Sequence, residues 1–464
     1  MRPGYDLAGK RVLVVGLART GVAVSLFAAA YGATVTATDE KPESALGETA
    51  ARLGAAGVDL KLGGHPPDIF FEQDLIVVSP GVPVALPPLV LADVSGIPVW
   101  SEIELSWRLL RGKLVAITGS NGKTTTTSLV AHILETAGIP TLVGGNIGAP
   151  LISQVESSAD SSVTVAEVSS FQLEAIEAFR PEIGVLLNLT PDHLDRHASF
   201  EEYAAAKMRL FENQLERDFA ILNADDPEVT KRMPARSHVF WFSRQKRVAE
   251  GAFLLDDQII FRHEGSEIAV GKRSEIPLRG EHNVENVLAA CVAAHLAGAE
   301  PAAIANGVKT FRGVEHRLEF VRDIGGVAFY NDSKATNVDA ALKAIEAFPG
   351  PLVVILGGKD KGSPYTALGD ALRTRGRAAL LIGESAEKIA ADLGGSVASV
   401  KAGTLDRAVQ LAADRAEPGD VVLLAPACSS FDQFENYEER GRAFKQLVAQ
   451  LENRPAASVR TQKG

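Results

Sequence analysis

Three consecutive α/β domains are the fold this sequence predicts, and three observations carry the reading. Short β-branched runs of strand length alternate with helix-compatible segments along most of the 464 residues, the pattern of parallel sheets covered by helices. The chain is long enough for two to four separate cores. Glycine-bearing polar loops directly follow several of the strands, at the edge where open α/β sheets hold ligands. The expected units are a Rossmann-like domain over 1–110, a phosphate-loop ATPase-like domain over 111–312 and a second Rossmann-like domain over 313–464.

Composition narrows the function. A net charge of −11 argues against wrapping nucleic acid or lying on an anionic membrane, both of which favour basic surfaces. Gly, Pro or charge interrupts every apolar run well before the roughly 18 residues that a membrane span needs, and Met1 to Asp6 lacks the apolar core of a signal peptide. Cys291 and Cys428, the only cysteines, sit among apolar or small residues and read as reduced thiols of a cytoplasmic protein.

The first unit opens with a strand (Arg11–Val15), the loop Gly16-Leu-Ala-Arg-Thr-Gly21, a helix to about Tyr31 and a strand ending at Asp39. This is a βαβ unit with an acidic residue after its second strand, the layout of a dinucleotide fold. Ala18 stands at the second glycine position of G-x-G-x-x-G and hinders close approach to a dinucleotide pyrophosphate. NAD(P), a nucleotide-linked small molecule and a purely structural turn therefore all remain open. Strands follow at Asp74–Ser79 and Ile97–Trp100, and Pro80-Gly-Val-Pro83 forms a rigid turn beyond a strand end. Ser101-Glu-Ile-Glu104 reads as a capping box opening a helix through Leu110.

The second unit begins with Leu114 to Thr127. An apolar strand breaks at Gly119-Ser-Asn-Gly122, and a helix opens at Lys123-Thr-Thr. Such a strand–loop–helix aims backbone N–H groups and a lysine at a polyphosphate, with the Thr124 hydroxyl beside a bound Mg2+. The loop is shorter than G-x-x-x-x-G-K-[ST], because Ile117 stands where that spacing needs glycine. Strands at Val163–Ala166, Gly184–Asn188 and Phe219–Leu222 follow, with a β-rich patch near 237–271.

Three features after these strands bear on chemistry. Glu167, at a strand's C-terminal end, is either an Mg2+ carboxylate or a surface glutamate. Asn188 to His197 carries two histidines and two aspartates. It reads either as a site or as a solvated helix start, with Thr190 as cap and Pro191 at the first helical position. Lys207 follows a second capping box, Ser199-Phe-Glu-Glu202, and shares a helical face with Tyr203, Leu210 and Phe211. It either snorkels to solvent or is converted to, or paired with, an anion.

The third unit has expected strands at Gly326–Tyr330, Leu352–Leu356, Ala378–Ile382 and Val421–Ala425. Polar segments Tyr330–Asn337, Leu356–Gly362 and Ala427–Phe434 follow three of them. The tail beyond Asn453 has nothing to bury and is expected to fray.

Taken in order, Gly16 to Gly21, Ser79 to Pro83, Thr118 to Thr125, Gly144-Gly-Asn-Ile-Gly148, Glu167 to Glu174, Asp192 to His197, Lys207 and His316-Arg317 resemble the ATP-dependent muramyl ligases. These enzymes build the peptide stem of peptidoglycan. The segment Asn331-Asp-Ser-Lys-Ala-Thr-Asn337 is similar to that of the D-glutamate-adding branch. The resemblance implies that ATP phosphorylates the carboxylate of UDP-N-acetylmuramoyl-L-alanine and that the D-glutamate amine then displaces phosphate, in the cytoplasm, by a monomer.

It further implies an ATP site of Gly119, Ser120, Asn121, Gly122, Lys123, Thr124, Thr125, Asn283, Asn286, Arg317 and Asp332, and catalytic roles for Lys123, Glu167, His193 and Lys207. Thr124 and Glu167 would serve one Mg2+, and His193 with Lys207, carbamylated by CO2, a second. Thr20, Asp39, Lys41, Asn146 and His193 would hold the UDP substrate, although Glu40-Lys41 replaces the Thr-Arg of close relatives. Lys334, Thr336, Lys361, Ser430 and Tyr437 would bind D-glutamate, with Lys359 an alternative to Lys361. The rival readings are a folylpolyglutamate-synthase-like ligase and an NAD-dependent oxidoreductase. The first lacks such an N-terminal domain, and Ala18 disfavours the second.

Overall fold

The computed structural model describes residues 4–193, 196–234, 236–278 and 280–451. The tail beyond Asn453, with Leu194 and Asp195 of the histidine-rich segment, lies outside the described residues. The chain divides into two compact units, one of Met1–Glu275 with Glu285–Phe311 and the other of Ile276–Val284 with Arg312–Gly464.

The first unit holds two sheets. In the first, β1 (Arg11–Val15), β2 (Thr34–Asp39), β3 (Asp59–Leu62), β4 (Leu75–Val78) and β5 (Val99–Ser101) run parallel in the order β3-β2-β1-β4-β5. In the second, β6 (Lys113–Thr118), β7 (Thr141–Gly145), β8 (Val163–Glu167), β9 (Ile183–Leu186), β10 (Phe219–Asn223), β11 (His238–Ser243), β12 (Gly251–Leu255), β13 (Gln258–His263) and β14 (Ser266–Lys272) are ordered β14-β13-β12-β11-β10-β9-β6-β8-β7. Only the β12-β13-β14 meander is antiparallel, and it accounts for the β-rich patch expected near 237–271.

The second unit holds one sheet of β15 (Glu319–Ile324), β16 (Val327–Asn331), β17 (Leu352–Gly357), β18 (Gly376–Ile382), β19 (Ser399–Gly403) and β20 (Val421–Leu424). Their order is β15-β16-β20-β17-β18-β19, parallel except for the β15–β16 pair.

The central strands are continuous apolar runs because both of their faces are covered. Along β1 and β4, Val12, Val14, Leu75 and Val77 enter one core cluster, while Leu13, Val15, Ile76 and Val78 enter another. Along β17, Leu352, Val354 and Leu356 face one core and Val353 and Ile355 the other. The strands that the apolar pattern did not disclose, β3, β7, β15 and β19, all lie at sheet edges. An edge strand needs no such run, and polar residues there discourage pairing with other chains.

The expected cap at Ser101 does not form. Helix Glu102–Leu109 has no side-chain cap, and Ser101 Oγ is buried without a partner. Glu104 is drawn away instead. Its Oε2 accepts the N–H groups of Glu177, Ala178 and Phe179 at 2.9, 3.0 and 2.7 Å, and its Oε1 accepts Arg108 Nε at 2.7 Å. Several charge-assisted bonds in a buried setting outweigh the one bond that a capping box would return. At Ser199 half of the expected box forms: Ser199 Oγ accepts Glu202 N–H, but the Glu202 carboxylate accepts Ala198 N–H. A complete box appears at Ser169 and Gln172, where none was anticipated.

Candidate active site

Strand β6 lies between β9 and β8, so the loop after it opens where the sheet order changes direction, the usual ligand crevice of open α/β sheets. Helix Lys123–Thr136 starts at Gly122, whose φ of 86° is left-handed. A Cβ there would lie 2.2 Å from Asn286 Oδ1, and Asn286 Oδ1 in turn accepts Thr126 Oγ1 at 3.3 Å. Glycine is thus required both for the turn and for the approach of the helix Glu281–Ala297.

The loop is fixed from the next strand end. Ser120 N–H donates to Asn188 O, and Asn121 N–H to Asn188 Oδ1 at 2.8 Å. Ser120 Oγ donates to Thr190 O and accepts Thr190 N–H, each at 2.9 Å. Held this way, Thr190 caps no helix: residues 191–193 are irregular, and His193 has a φ of 54°. The solvated-helix reading of this segment is therefore replaced by a backbone brace for the loop.

Lys123 Nζ folds onto Gly119 O and Ser120 O at 2.7 and 2.8 Å. Thr124 Oγ1 donates to Glu167 Oε2 at 2.7 Å, and Asn146 Nδ2 to Glu167 Oε1 at 2.9 Å. A hydroxyl and a carboxylate paired in a buried position are hard oxygen ligands of the kind Mg2+ takes. Asn146, Thr124 and Glu167 are thus brought together, from three separate strand ends.

Lys207 is 2% exposed. Its Nζ lies 4.6 Å from the centre of the Tyr203 ring, with no hydrogen bond or ion pair among the described residues. Burial, and then the charge of Lys123, push its pKa well below the ordinary lysine value, against the pull of Asp192 and Glu167. The amine is thereby biased toward its neutral form. Snorkelling is excluded, since the ammonium does not reach solvent. The Tyr203 hydroxyl donates to Ser120 Oγ at 3.0 Å, and the His193 ring lies 6.5 Å from the same aromatic ring. His193 and Lys207 therefore border one side chain, which is itself bonded to the glycine loop.

In the first sheet, a cleft of about 260 Å³ is lined by Gly16, Ala18, Asp39, Lys41, His65, Ser79 and Val82 among others. Asp39 Oδ2 accepts Leu17 N–H at 2.6 Å and its Oδ1 accepts Lys41 N–H at 2.9 Å, so this carboxylate shapes the cleft wall. Thr20 lies in helix Arg19–Ala30 and is not among the lining residues. His65, bonded to Thr38 Oγ1 at 3.0 Å, lines the cleft although no sequence motif marked it. Arg196 Nη2 donates to Val82 O at 2.9 Å and to Glu174 Oε2 at 3.0 Å, linking the cleft's rim to the second sheet's domain.

In the second unit, Asp332 follows β16 and is fully buried. Burial raises its pKa to about 6 against the opposing charges of Arg317 and Lys334. His282, near Arg317 and Lys343, is pushed down to about 3 mainly by burial. Asn283 belongs to this unit and Asn286 to the other. Lys334 Nζ lies 5.2 Å from the Tyr437 ring centre, Ser430 is buried, and Lys361 is exposed. Thr336 N–H donates to Lys334 O. Lys359 pairs with Ser429 through the backbone as an isolated bridge.

Architecture and site define a class: a multidomain α/β protein of the nucleotide-binding type. Three family profiles match the chain. They are "Mur ligase MurD-like, N-terminal domain" over residues 10–101, "Mur ligase middle domain" over 117–294, and "Mur ligase, glutamate ligase domain" over 316–428. A UDP-N-acetylmuramoylalanine–D-glutamate ligase of Acidobacterium capsulatum is 56% identical over 98% of both chains. Its counterpart in Solibacter usitatus is 54% identical over 96% of this chain and 99% of that one. Among solved structures, a MurF ligase from Thermotoga maritima in complex with ADP superposes with a TM-score of 0.61 at 18% identity, covering 96% and 99% of the two chains. A pseudomurein peptide ligase from Methanothermus fervidus gives 0.60 at 21% identity over 96% and 100%. The chain belongs to the Mur ligase family. The folylpolyglutamate-synthase-like and oxidoreductase alternatives are not favoured.

Proposed function

We propose that this chain joins the carboxylate of UDP-N-acetylmuramoyl-L-alanine to the amine of D-glutamate with cleavage of ATP to ADP and phosphate, a step of peptidoglycan synthesis. As a Mur ligase it is an ATP-dependent acid–amino-acid ligase. The observation that carries the reading of the site is the convergence, at one crevice of the second sheet, of the Lys123 loop, the Thr124–Glu167 pair and the buried Lys207.

Phosphoryl transfer is chiefly positioning and charge neutralisation. Gly119 to Thr125 would cradle the ATP phosphates with loop N–H groups, and Lys123 would leave its two carbonyl acceptors for the transferring phosphate. Asn286 borders the same loop, and with Asn283, Arg317 and Asp332 it would contact the adenine nucleotide. Thr124 and Glu167 would hold one Mg2+, which when bound neutralises phosphate charge. The phosphorylated carboxylate is an acyl phosphate. Attack of the amine on its carbonyl forms the C–N bond, and phosphate leaves with the C–O bonding pair.

Lys207 and His193 would serve a second Mg2+. Only a neutral amine has the lone pair that adds to CO2, and the burial of Lys207 supplies that form. Addition forms a carbamate and releases one proton. The Lys123 charge that disfavours the Lys207 ammonium favours this anion.

The cleft with Asp39 and Lys41, together with Thr20, Asn146 and His193, would take the UDP substrate. Lys334, Thr336, Lys361, Ser430 and Tyr437 would take D-glutamate, whose two carboxylates need cationic and hydroxyl donors at separated points. We further infer domains over 1–110, 111–312 and 313–464, a monomer, and a cytoplasmic location. No described helix is long and apolar enough to cross a membrane.

Phosphate release with ATP, Mg2+ and UDP-N-acetylmuramoyl-L-alanine, with amino acids added one at a time, tests the reading. D-glutamate is expected to give the fastest release. Better turnover with L-glutamate, lysine or diaminopimelate would overturn the choice of acceptor.

A further inference from the structure

Three strand-end loops of the second unit meet on one side chain that the sequence did not single out. Arg440, in helix Tyr437–Gln450, is 1% exposed. Its Nε donates to Ser333 Oγ at 3.1 Å and its Nη2 to Ser333 O at 2.9 Å, in the loop after β16. Its Nη2 also reaches Cys428 O at 3.2 Å, and its Nη1 reaches Ser429 O at 3.3 Å, in the loop after β20. The loop after β17 closes over it, since a Cβ on Gly358 would come within 3.1 Å of Nη1. These are the loops that carry Lys334, Lys359 with Lys361, and Ser430.

Every acceptor of this guanidinium is neutral. Arg440 forms no ion pair among the described residues. Of the groups whose charge acts on it, Cys428 and then Asp432, neither is hydrogen-bonded to the guanidinium through its side chain, and the Asp432 carboxylate accepts Glu384 N–H at 3.1 Å. Burying a charge without a counter-ion is costly, and such charges are normally paired. Here the neutral carbonyls hold the guanidinium in place and leave its charge to act on whatever lies at the strand ends.

We propose that Arg440 is a positioning and charge-selecting residue of the amino-acid site. It ties the three loops together, and its uncompensated charge beneath them favours an acceptor whose side chain is anionic. This rests on the reading of these strand ends as the glutamate site. An acceptor with a neutral side chain gains little from the buried charge, whereas one with a second carboxylate supplies the missing counter-ion.

The test uses the full chain and three variants, Arg440→Met, Arg440→Gln and Arg440→Lys, with folding checked by circular dichroism and thermal melting. Two constants are read by phosphate release: KM for D-glutamate, and the inhibition constant of D-glutamine, which has the same shape with an uncharged side chain. In Arg440→Met and Arg440→Gln, which lose both the charge and the fork, we expect KM for D-glutamate to rise about tenfold to a hundredfold more than the D-glutamine constant does. Arg440→Lys keeps the charge and loses the fork, so both constants should worsen together and their ratio should hold. Folded neutral variants that weaken both ligands equally, or neither, would overturn the proposal. Should both neutral variants fail to fold, a collapsed ratio in Arg440→Lys would overturn it and a preserved ratio would support it. Absence of any D-glutamate-dependent phosphate release in the unaltered chain would instead overturn the glutamate reading itself.

Discussion

Replacing Gly122 by alanine tests the loop's construction most directly. The residue's φ of 86° places an L side chain in the left-handed region, at about 1–2 kcal/mol. The added methyl would also sit 2.2 Å from Asn286 Oδ1 and 3.2 Å from Leu187 Cδ1. Asn286 is 4% exposed and must turn away, breaking its bond with Thr126 Oγ1, at about 0.5–1.5 kcal/mol. The sum is a loss of roughly 1.5–3.5 kcal/mol. Because the displaced residues frame the loop, we expect KM for ATP to rise at least about tenfold. Gly138→Ala is the control: its φ is 74° with nothing within 4 Å of the added methyl, so it should show strain alone and an unchanged KM for ATP. Asn286→Ala should relieve part of the Gly122→Ala destabilisation, giving a non-additive double mutant. Urea denaturation and steady-state kinetics of the parent and these four variants decide the matter. Equal destabilisation by the two glycine substitutions, with additive behaviour of Asn286→Ala, would refute the close-contact reasoning.

Other expectations follow from neighbouring groups. Lys123→Ala, which removes one aimed charge, should lower turnover about 10²- to 10³-fold with the fold intact, read by single-turnover ATP cleavage. Lys207→Ala should be nearly inactive and partly rescued by short-chain carboxylates, and the unaltered chain should show a lysine carbamate signal by NMR with ¹³C-labelled bicarbonate. Glu104→Ala leaves three N–H groups without their acceptor and Arg108 with only its longer Glu177 pair, and should cost about 3–5 kcal/mol by urea denaturation. Burial lifts the Glu102 pKa from 4.5 to about 7, so the folded state holds its proton where the unfolded chain has lost it. Its contribution is full below pH 4.5 and lost by about 7. The stability of Glu102→Gln relative to the parent should therefore rise by roughly 3 kcal/mol between those values.

The loop after β6 was legible because its information is local: an apolar run, two glycines, then lysine and threonines. The same is true of the core strands, whose two buried faces leave unbroken apolar sequence. Edge strands such as β3 and β19 carry too few apolar positions to stand out. Lys207 was conspicuous as a charge within an apolar stripe, and the structure places it without a partner beside Tyr203. Glu104 misled because a capping box is a local inference, whereas its actual partners at Glu177, Ala178 and Phe179 lie far along the chain. Arg440 escaped notice because an arginine in a polar helix ordinarily faces water. The one hint was Gly441 beside it, where a methyl would strike His316 and which thus marks that face of the helix as tightly packed.

The place of β6 within its sheet bears on how the chain emerges during synthesis. It is the first strand of that sheet to be made, yet it lies between β8 and β9, so it waits for β8 before it has any partner and is paired on both edges only once Leu186 has left the ribosome. The brace from Asn188 and Thr190 comes directly afterwards, and Asn286 much later. A nascent fragment ending before these residues has no framed loop for ATP to stabilise. The nucleotide can secure this domain only after it has largely assembled itself, and early fragments depend on chaperones or on their own collapse.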